Sequence, residues 1–213
     1  HLSTRRQRQM CIRDSRYVGP KGIGDSKITN VFYVTKDGRD ANSGRRVADS
    51  KATIKSAVSA ASTLPGSIVK VFAGTYVENN PIKCGPQVSI VGDSLREVTV
   101  VPQNADKDLF HVAPGDLISD MSFTGTMNAG SAVVAFDPDV IRYSGQSPYL
   151  LNCTNFISNS IGMKIDGDNV IGPFKSFVTD SFTQYNQNGI GASITNKGYC
   201  LLYTSPSPRD NRV

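Results

Sequence analysis

The chain has 213 residues, of which 38% are hydrophobic and 19% charged, and its formal net charge is +5. Residues 1–16 and 201–213 carry all of this excess, so the segment 17–200 is formally neutral. A neutral segment gives no electrostatic reason to expect nucleic-acid binding, which depends on a basic face that neutralises phosphates. No apolar run approaches the roughly 20 residues of a membrane-spanning helix, and none has the pattern of a signal peptide.

Both ends of the chain differ in amino-acid composition from the rest. The segment "RRQRQMCIRDS" (5–15) is rich in Arg, and "CLLYTSPSPRD" (200–210) follows a stretch rich in Asn and Gly. A DNA sequence that can encode Met10–Ser15 also encodes Cys200–Ser205 when its complementary strand is translated in another frame. Both ends therefore resemble one translated oligonucleotide, the transposase adaptor of sequencing libraries, and we exclude them from the fold. This interpretation is favoured over a basic arm that binds nucleic acid or membrane.

This exclusion sets the predicted organisation of the chain. The predicted parts are adaptor-derived residues 1–15, a polar lead-in at 16–30, one truncated domain at 31–199 and adaptor-derived residues 200–213. Apart from the adaptor-coded cysteines, Cys84 and Cys153 remain. Their long separation and the lack of a CxxC spacing indicate small buried side chains, not a disulfide framework or a zinc site. No cofactor and no metal are expected.

The first elements of the domain are a strand and a helix. The stretch "VFYVTKDGRDANSG" (31–44) has a strand pattern followed by turn residues. A helix is predicted at about 50–63, with Ser50 as its N-cap and Pro65-Gly66 ending it. Its apolar residues recur at the i, i+3, i+4 and i+7 spacing of one helix side, and these are Ile54, Ala57, Val58 and Ala61.

After Gly66 the sequence consists of short runs rich in Val, Ile, Phe and Thr, bounded by Gly, Asn, Asp or Pro. Each run is typical of a β-strand, and the absence of a second amphipathic helix disfavours a βαβ sheet. The predicted class is therefore all-β, either a sandwich or a solenoid. The predicted strand segments are 67–78, 87–93, 97–103, 109–115, 116–125, 131–137, 149–158, 161–168, 176–185 and 189–198.

Internal similarity favours the solenoid over the sandwich. The segments "ISDMSFTG", "LNCTNFIS" and "VTDSFTQY" each carry an apolar residue, a short polar interval and a Phe. The Phe residues recur at a period within the 20–45 residues of solenoid repeats. Because stacked coils place like residues above like, we expect Phe123, Phe156 and Phe182 to form one stack inside the coils.

The first part of the domain resembles a known family. The stretches "FYVTKDGRDANSG", "ATIKSAVSAA" and "GSIVKVFAGTYVENNPI" are similar to the opening of a pectin-lyase-like, right-handed parallel β-helix. The resemblance implies a solenoid whose N-terminal end is covered by the short helix. Within the family, "VFYVTKDG", "TYVENNPI" and "GIGASITNKGY" resemble virion structural proteins of tailed phages, particularly of the cyanophage type.

The same family resemblance implies an enzyme as an alternative, because polysaccharide lyases and glycoside hydrolases share this fold. A glycosidase needs two carboxylates that flank the scissile bond. The pairs Asp137/Asp139 and Asp166/Asp168 have a spacing that shares a strand face, but both adjoin Pro or Gly, where a turn role is favoured. We assign no catalytic residue. The candidates to be examined are Asp166, Asp168, Asp180 and Lys164.

Glycan binding requires fewer groups than catalysis. Tyr143 and Tyr149 flank the loop "SGQSP", and Asn169 follows in a nearby turn. Exposed loop aromatics indicate binding surfaces, although packing of the loop is the competing interpretation. We retain Tyr143, Tyr149 and Asn169 as candidates for glycan binding, and interpret His111 as a residue of the rim or the core.

These observations predict a virion structural or tail-associated β-helix protein that contacts host-surface polysaccharide. It is expected to form a trimer or another assembly, without nucleic acid or a membrane span. The alternatives are a polysaccharide lyase or glycoside hydrolase, and a secreted bacterial surface β-helix protein found outside the cell. Carboxylates and a base converging on one face would favour the enzyme, whereas rows of Asn, Ser and Thr would disfavour it.

Overall fold

The computed structural model describes residues 30–139, 142–143, 147–166, 170–171, 176–185, 187–195 and 199–202. Within them the chain forms sixteen β-strands, one α-helix and a short 3-10 turn (Val47–Asp49). The elements are β1 (Val31–Val34), α1 (Ile54–Ala61), β2 (Ile68–Val71), β3 (Gly74–Glu78), β4 (Ile82–Lys83), β5 (Ser89–Gly92), β6 (Val98–Pro102), β7 (Phe110–Val112), β8 (Leu117–Phe123), β9 (Ala132–Phe136), β10 (Arg142–Tyr143), β11 (Tyr149–Asn155), β12 (Ile161–Asp166), β13 (Val170–Ile171), β14 (Ser176–Gln184), β15 (Ile190–Thr195) and β16 (Tyr199–Leu202). The mostly β composition confirms the predicted class.

The strands form two main sheets, and every strand pairing in the described residues is parallel. The first sheet has the order β1-β2-β5-β8-β11-β14-β16, and off this path β6 pairs with β8 and β3 pairs with β6. The second has the order β15-β12-β9-β7-β4, and β10 pairs with β13 separately. Parallel neighbours need long connections. The connection between β1 and β2 contains α1, and the later connections contain strands of the other sheet, so successive strands of one sheet are neighbours in space but far apart in sequence.

The first sheet bends within β8. The N-terminal part of β8 pairs with β5, whereas Ser122 and Phe123 pair with β6. Asp120 lies between the two parts with a φ of 59°, and Asn152 has a φ of 47° at the matching place in β11. Asp and Asn tolerate this left-handed conformation better than other residues with a side chain. The Asn152 Nδ2 donates to Asp120 Oδ1 at 2.7 Å, which connects the corners of neighbouring strands.

The core contains a continuous row of aligned apolar side chains in the first sheet. Strand pairing places these residues at one register position in five successive strands, and all are at most 3% exposed. Burying one such side chain contributes roughly 1.5–3 kcal/mol. The aligned residues are Phe32, Val69, Ile90, Ile118 and Leu150.

The predicted stack of three phenylalanines is wrong. Phe123 is fully buried, but its partner in β11 is Asn155, and Phe156 comes one residue later with 45% of its surface exposed. Phe182 pairs with Cys153, at a different position again. The physical reason is the side-chain period of two, because an offset of one residue moves a side chain to the opposite face of the sheet.

The helix α1 is shorter than predicted. It begins at Ile54, not near residue 50, because Thr53 is the N-cap and its hydroxyl accepts the N–H of Ser56 at 3.1 Å. Ser50 lies before the helix in extended backbone and bonds the Thr35 hydroxyl at 2.6 Å. The four predicted apolar residues are all buried, which confirms the predicted side of the helix.

A buried carboxylate attaches α1 to the first sheet. Glu78, at the end of β3, is 1% exposed and accepts the N–H groups of Ile54 at 2.7 Å and Lys55 at 3.1 Å. These two N–H groups have no partner within the helix, and a negative charge near them is favourable. Burial raises the pKa of Glu78 above its ordinary value, although the two N–H groups act to lower it.

Candidate functional site

A row of four polar side chains and one buried alanine crosses one face of the second sheet. Strand pairing aligns one residue from each of β4, β7, β9, β12 and β15. Because neighbouring strands lie about 4.8 Å apart, the small Ala135 separates the basic side chains on its two sides by roughly 10 Å. We call this the charged row, and its members are Lys83, His111, Ala135, Lys164 and Ser193.

His111 is joined to a carboxylate next to the row. Its Nε2 lies 3.1 Å from Asp108 Oδ2, and the two side chains are 13% and 17% exposed. Asp108 Oδ1 also accepts the N–H of Ala132 at 2.7 Å. Burial acts to raise the pKa of Asp108, but the hydrogen bonds with His111 and Ala132, together with the charges of Lys164 and His111, outweigh it, so the pKa lies below its ordinary value. The other ring nitrogen of His111, Nδ1, is buried and has no hydrogen-bond partner in the described part of the chain.

Lys83 forms a second pair that spans the row. Its Nζ lies 2.6 Å from Oδ2 of Asp139, in the turn after β9, and both side chains are more than half exposed. The hydrogen bond between them raises the pKa of Lys83 and lowers the pKa of Asp139. Asp137 Oδ1 accepts the N–H of Asp139 at 2.9 Å, which is the turn role predicted for this pair. The contact therefore holds the turn against the sheet.

The protonation of this cluster fits ion pairing better than acid catalysis. A glycosidase acid must hold its proton at working pH, and such residues have raised pKa values. The pKa values of Asp108 and Asp139 are both lowered, which favours their ionised forms. A lyase base must be deprotonated, whereas the raised pKa of Lys83 favours its protonated form. Among the described residues, no three His, Cys, Asp or Glu side chains are grouped so that they could hold a metal ion.

The structure places the four catalytic candidates differently. Lys164 is exposed on the charged row, between Ala135 and Ser193. Asp166, the last residue of β12, is half-buried beside Thr195 of β15. The backbone of Asp180 pairs with Leu151, but its side chain lies outside the described part, as does the whole of Asp168. Of the candidates whose side chains are described, one, Lys164, therefore belongs to the charged row.

The glycan-binding candidates are described only in part. Tyr149 begins β11, is half-buried, and donates its N–H to the carbonyl of Asp116 at 2.8 Å. The backbone of Tyr143 pairs with Ile171, but its side chain lies outside the described residues, and Asn169 lies outside them entirely. The tyrosines consequently remain a prediction.

A second outer surface has a different chemistry. On the outer side of β3, β6, β8, β11 and β14, strand pairing aligns a hydroxyl row. Thr75 and Thr183, at its two ends, are exposed, whereas Ser122 and Thr154 are each only 7% exposed. Two residues further along follows a row of four hydrophobic residues and Thr124, which we call the apolar row. Neither row contains Asp, Glu, Lys, Arg or His, and we call the two together the uncharged face. The hydroxyl row is Thr75, Thr99, Ser122, Thr154 and Thr183, and the apolar row is Val77, Val101, Thr124, Phe156 and Tyr185.

Sequence reasoning missed both ion pairs. Asp108 and His111 are three residues apart at the start of β7, and this short spacing could have been recognised in the sequence as a possible pair. Lys83 and Asp139 are separated by 56 residues, and only the register of the sheet brings them together. The cysteines agree with the prediction: Cys84 and Cys153 are buried and unpaired, and burial raises the pKa of both thiols, that of Cys153 to about 12.

Comparison with known proteins gives no assignment. No family model, no curated protein and no solved structure is significantly similar to this chain. In the described part of the chain, no helix has both the length and the apolar character that crossing a membrane requires.

Proposed function

We propose that this chain is a right-handed parallel β-helix of the pectin-lyase-like type. The observation that supports this is the pairing pattern, in which strands from successive turns of the chain align in parallel and in sequence order. The corners at Asp120 and Asn152 divide the first sheet into two parts, which together with the second sheet would make three sides of a coil. The position of α1 beside β1 and β2 fits a helix that covers the first coil.

The role that we propose is that of a virion structural or tail-associated protein, assembled as a trimer or another oligomer, which contacts host-surface polysaccharide. A stack of parallel strands suits this role because backbone hydrogen bonds run along its whole length and resist unfolding. The resemblance of "VFYVTKDG" and "TYVENNPI" to phage virion proteins is the reason for preferring it to a secreted bacterial surface protein.

Mass spectrometry of density-purified tailed virus particles, from the sample that carries this gene, tests the proposed role. We expect peptides from residues 31–139 in the particle fraction. Peptides confined to the secreted or cell-surface fraction would contradict the virion role and favour the bacterial alternative. Light scattering of the purified chain measures the mass of the assembly, and a monomer at all concentrations would contradict the predicted oligomer.

One observation favours the enzyme alternative, namely the convergence of Lys83, His111, Asp108 and Asp139 on one face. We propose ion pairing as their role because the lowered pKa values of both carboxyls favour the ionised forms that pair with His111 and Lys83. Incubation with polygalacturonate and neutral glycans, followed by assay of reducing ends and unsaturated products, tests this. Turnover that is lost in Asp108→Asn and His111→Ala, with folding retained, would replace the structural role by a catalytic one.

A further inference from the structure

The apolar row collects exposed hydrophobic surface on one line of the molecule. Val77 is 58% exposed, Phe156 45% and Tyr185 66%. The other large hydrophobic side chains exposed to this degree in the described residues are Val47, Ile190 and Ile194. Single exposed hydrophobic residues are ordinary, whereas their alignment along a surface indicates contact with a partner.

Two of these side chains form an aromatic pair. The rings of Phe156 and Tyr185 are stacked, with centroids 5.3 Å apart and planes 10° from parallel. They directly follow the neighbouring strands β11 and β14, and the Tyr185 N–H donates to the carbonyl of Asn155 at 2.8 Å. Parallel strand pairing thus holds the rings against each other while leaving much of both in solvent.

The shape of the row favours a narrow, linear partner. It crosses five strands and is therefore about 19 Å long, but it is one side chain wide. A stable protein interface buries about 800 Å² on each partner, which is more than such a line can provide. A polymer chain lying along the row needs only this width. The shape therefore disfavours a second copy of the chain as the occupant.

The chemistry around the aromatic pair favours a neutral sugar. The apolar row carries no charge, and the hydroxyl row runs beside it, with Thr183 as its exposed member next to the aromatic pair. Exposed amides follow Tyr185 in the turn at Gln187 and Asn188. A pyranose ring has an apolar face, which suits an aromatic ring, and hydroxyl edges, which suit amides and hydroxyls. An acidic glycan would instead require cations beside the aromatic pair. Neither row contributes one, and Lys36 and Lys55, which bond the carbonyls of Thr75 and Asn79, lie at the β3 end of the row, away from the aromatic pair.

We propose that a neutral linear polysaccharide binds along the apolar row, with its sugar rings against Phe156 and Tyr185. The inference rests on the proposed contact with surface polysaccharide and specifies its location and class. Affinity electrophoresis of the full chain tests it, with a β-glucan, a galactomannan and dextran as neutral probes and polygalacturonate as the acidic probe. We expect retardation by at least one neutral probe, insensitive to salt.

Variants make the test specific to the row. Phe156→Ala and Tyr185→Ala are expected to weaken that binding about tenfold or more, whereas Tyr185→Phe, which keeps the ring, retains it. Val47→Ala, at an exposed apolar residue elsewhere, and Lys83→Ala, on the charged row, should leave it unchanged. Circular dichroism checks that each variant is folded.

Three results would overturn the inference. They are retardation by no neutral probe, binding of polygalacturonate alone that is lost in Lys83→Ala, and a change of oligomer mass, without glycan binding, in the Phe156 and Tyr185 variants. The last would assign the row to a second copy of the chain. The virion role is tested separately, by mass spectrometry. Failure of the glycan test would therefore overturn this binding site without contradicting the virion role.

Discussion

The charged row and the uncharged face are built by the same kind of backbone but present opposite chemistry. The charged row brings Lys83 and His111 together with Asp139 and Asp108 on the second sheet. The uncharged face presents hydroxyl, aliphatic and aromatic side chains on the first sheet. Beneath both surfaces, the inward positions are predominantly apolar and buried.

The comparison distinguishes the residues that face inward, which stabilise the fold, from those that face outward, which determine the surface chemistry. Inward side chains are constrained because each must fit beneath and above its neighbours in a close-packed interior. Outward side chains are free of that constraint, so their chemistry can vary from one face to another. Candidate binding sites should therefore be sought in the outward rows, and large effects on stability in the inward ones.

The largest expected effect tests this separation on two phenylalanines. Phe123→Ala should lower the free energy of unfolding by about 3–5 kcal/mol, because it leaves a cavity in the core beside Phe110. Phe156→Ala removes an exposed ring and should cost about 1 kcal/mol or less. Urea denaturation followed by circular dichroism measures both. Equal losses would mean that the inward and outward assignment of these two residues is mistaken.

The same pair shows how far the sequence could predict the fold. Turn residues and runs of Val, Ile and Thr were sufficient to predict strands such as β6 and β8, and the spacing of Ile54, Ala57 and Val58 predicted the buried side of α1. The register was not predictable in this way. The corner at Asp120 interrupts the alternation of β8, so that Ile118 and Met121 both face inward.

The misplaced phenylalanine has another cause, because β8 and β11 have their corners at matching positions. Before the corner Ile118 already pairs with Leu150, and this register places Asn155, not Phe156, beside Phe123. Asn155 is tolerated inside because its Nδ2 donates to Ser160 Oγ at 3.1 Å and Gln184 Oε1 at 2.9 Å. An inward polar residue with such partners does not stand out from turn residues in the sequence. The ion pair of the charged row between Lys83 and Asp139 was hidden for a related reason, since it depends on long-range register.

Glu78 refines the comparison because it is a carboxylate that faces inward beneath the uncharged face. Glu78→Ala would leave the N–H groups of Ile54 and Lys55 without their acceptor and should lower the free energy of unfolding by about 1–3 kcal/mol. Thr75→Ala, at an exposed outward position on the same strand, is the control and should change it by about 0.5 kcal/mol or less. Urea denaturation at pH 7 measures both. A loss as large for Thr75→Ala as for Glu78→Ala would contradict the capping role.

The pH dependence of Glu78 has a definite sign. Its pKa is raised in the folded chain, so its contribution is fullest below the unfolded pKa and is lost as the pH rises through the folded pKa. Because Gln does not titrate, the stability of the natural chain relative to Glu78→Gln should increase as the pH falls from 7 towards 4. A difference that stays constant over this range would mean that the pKa is unchanged by folding.

The smallest expected effect lies beside the charged row, at Asp108. Its pKa is lowered in the folded chain, so its contribution is present above the unfolded pKa and is lost as the pH falls through the folded one, opposite in sign to Glu78. Asp108→Asn should therefore cost about 1 kcal/mol or less at pH 7, and this cost should shrink in acid. Asp139→Asn is the matched control: its more exposed pair with Lys83 should give a smaller change, abolished by about 0.5 M salt. Thermal melting of both variants between pH 3 and 7 measures this, and an Asp108→Asn cost that grows in acid would show that its carboxylate does not stabilise the fold through His111.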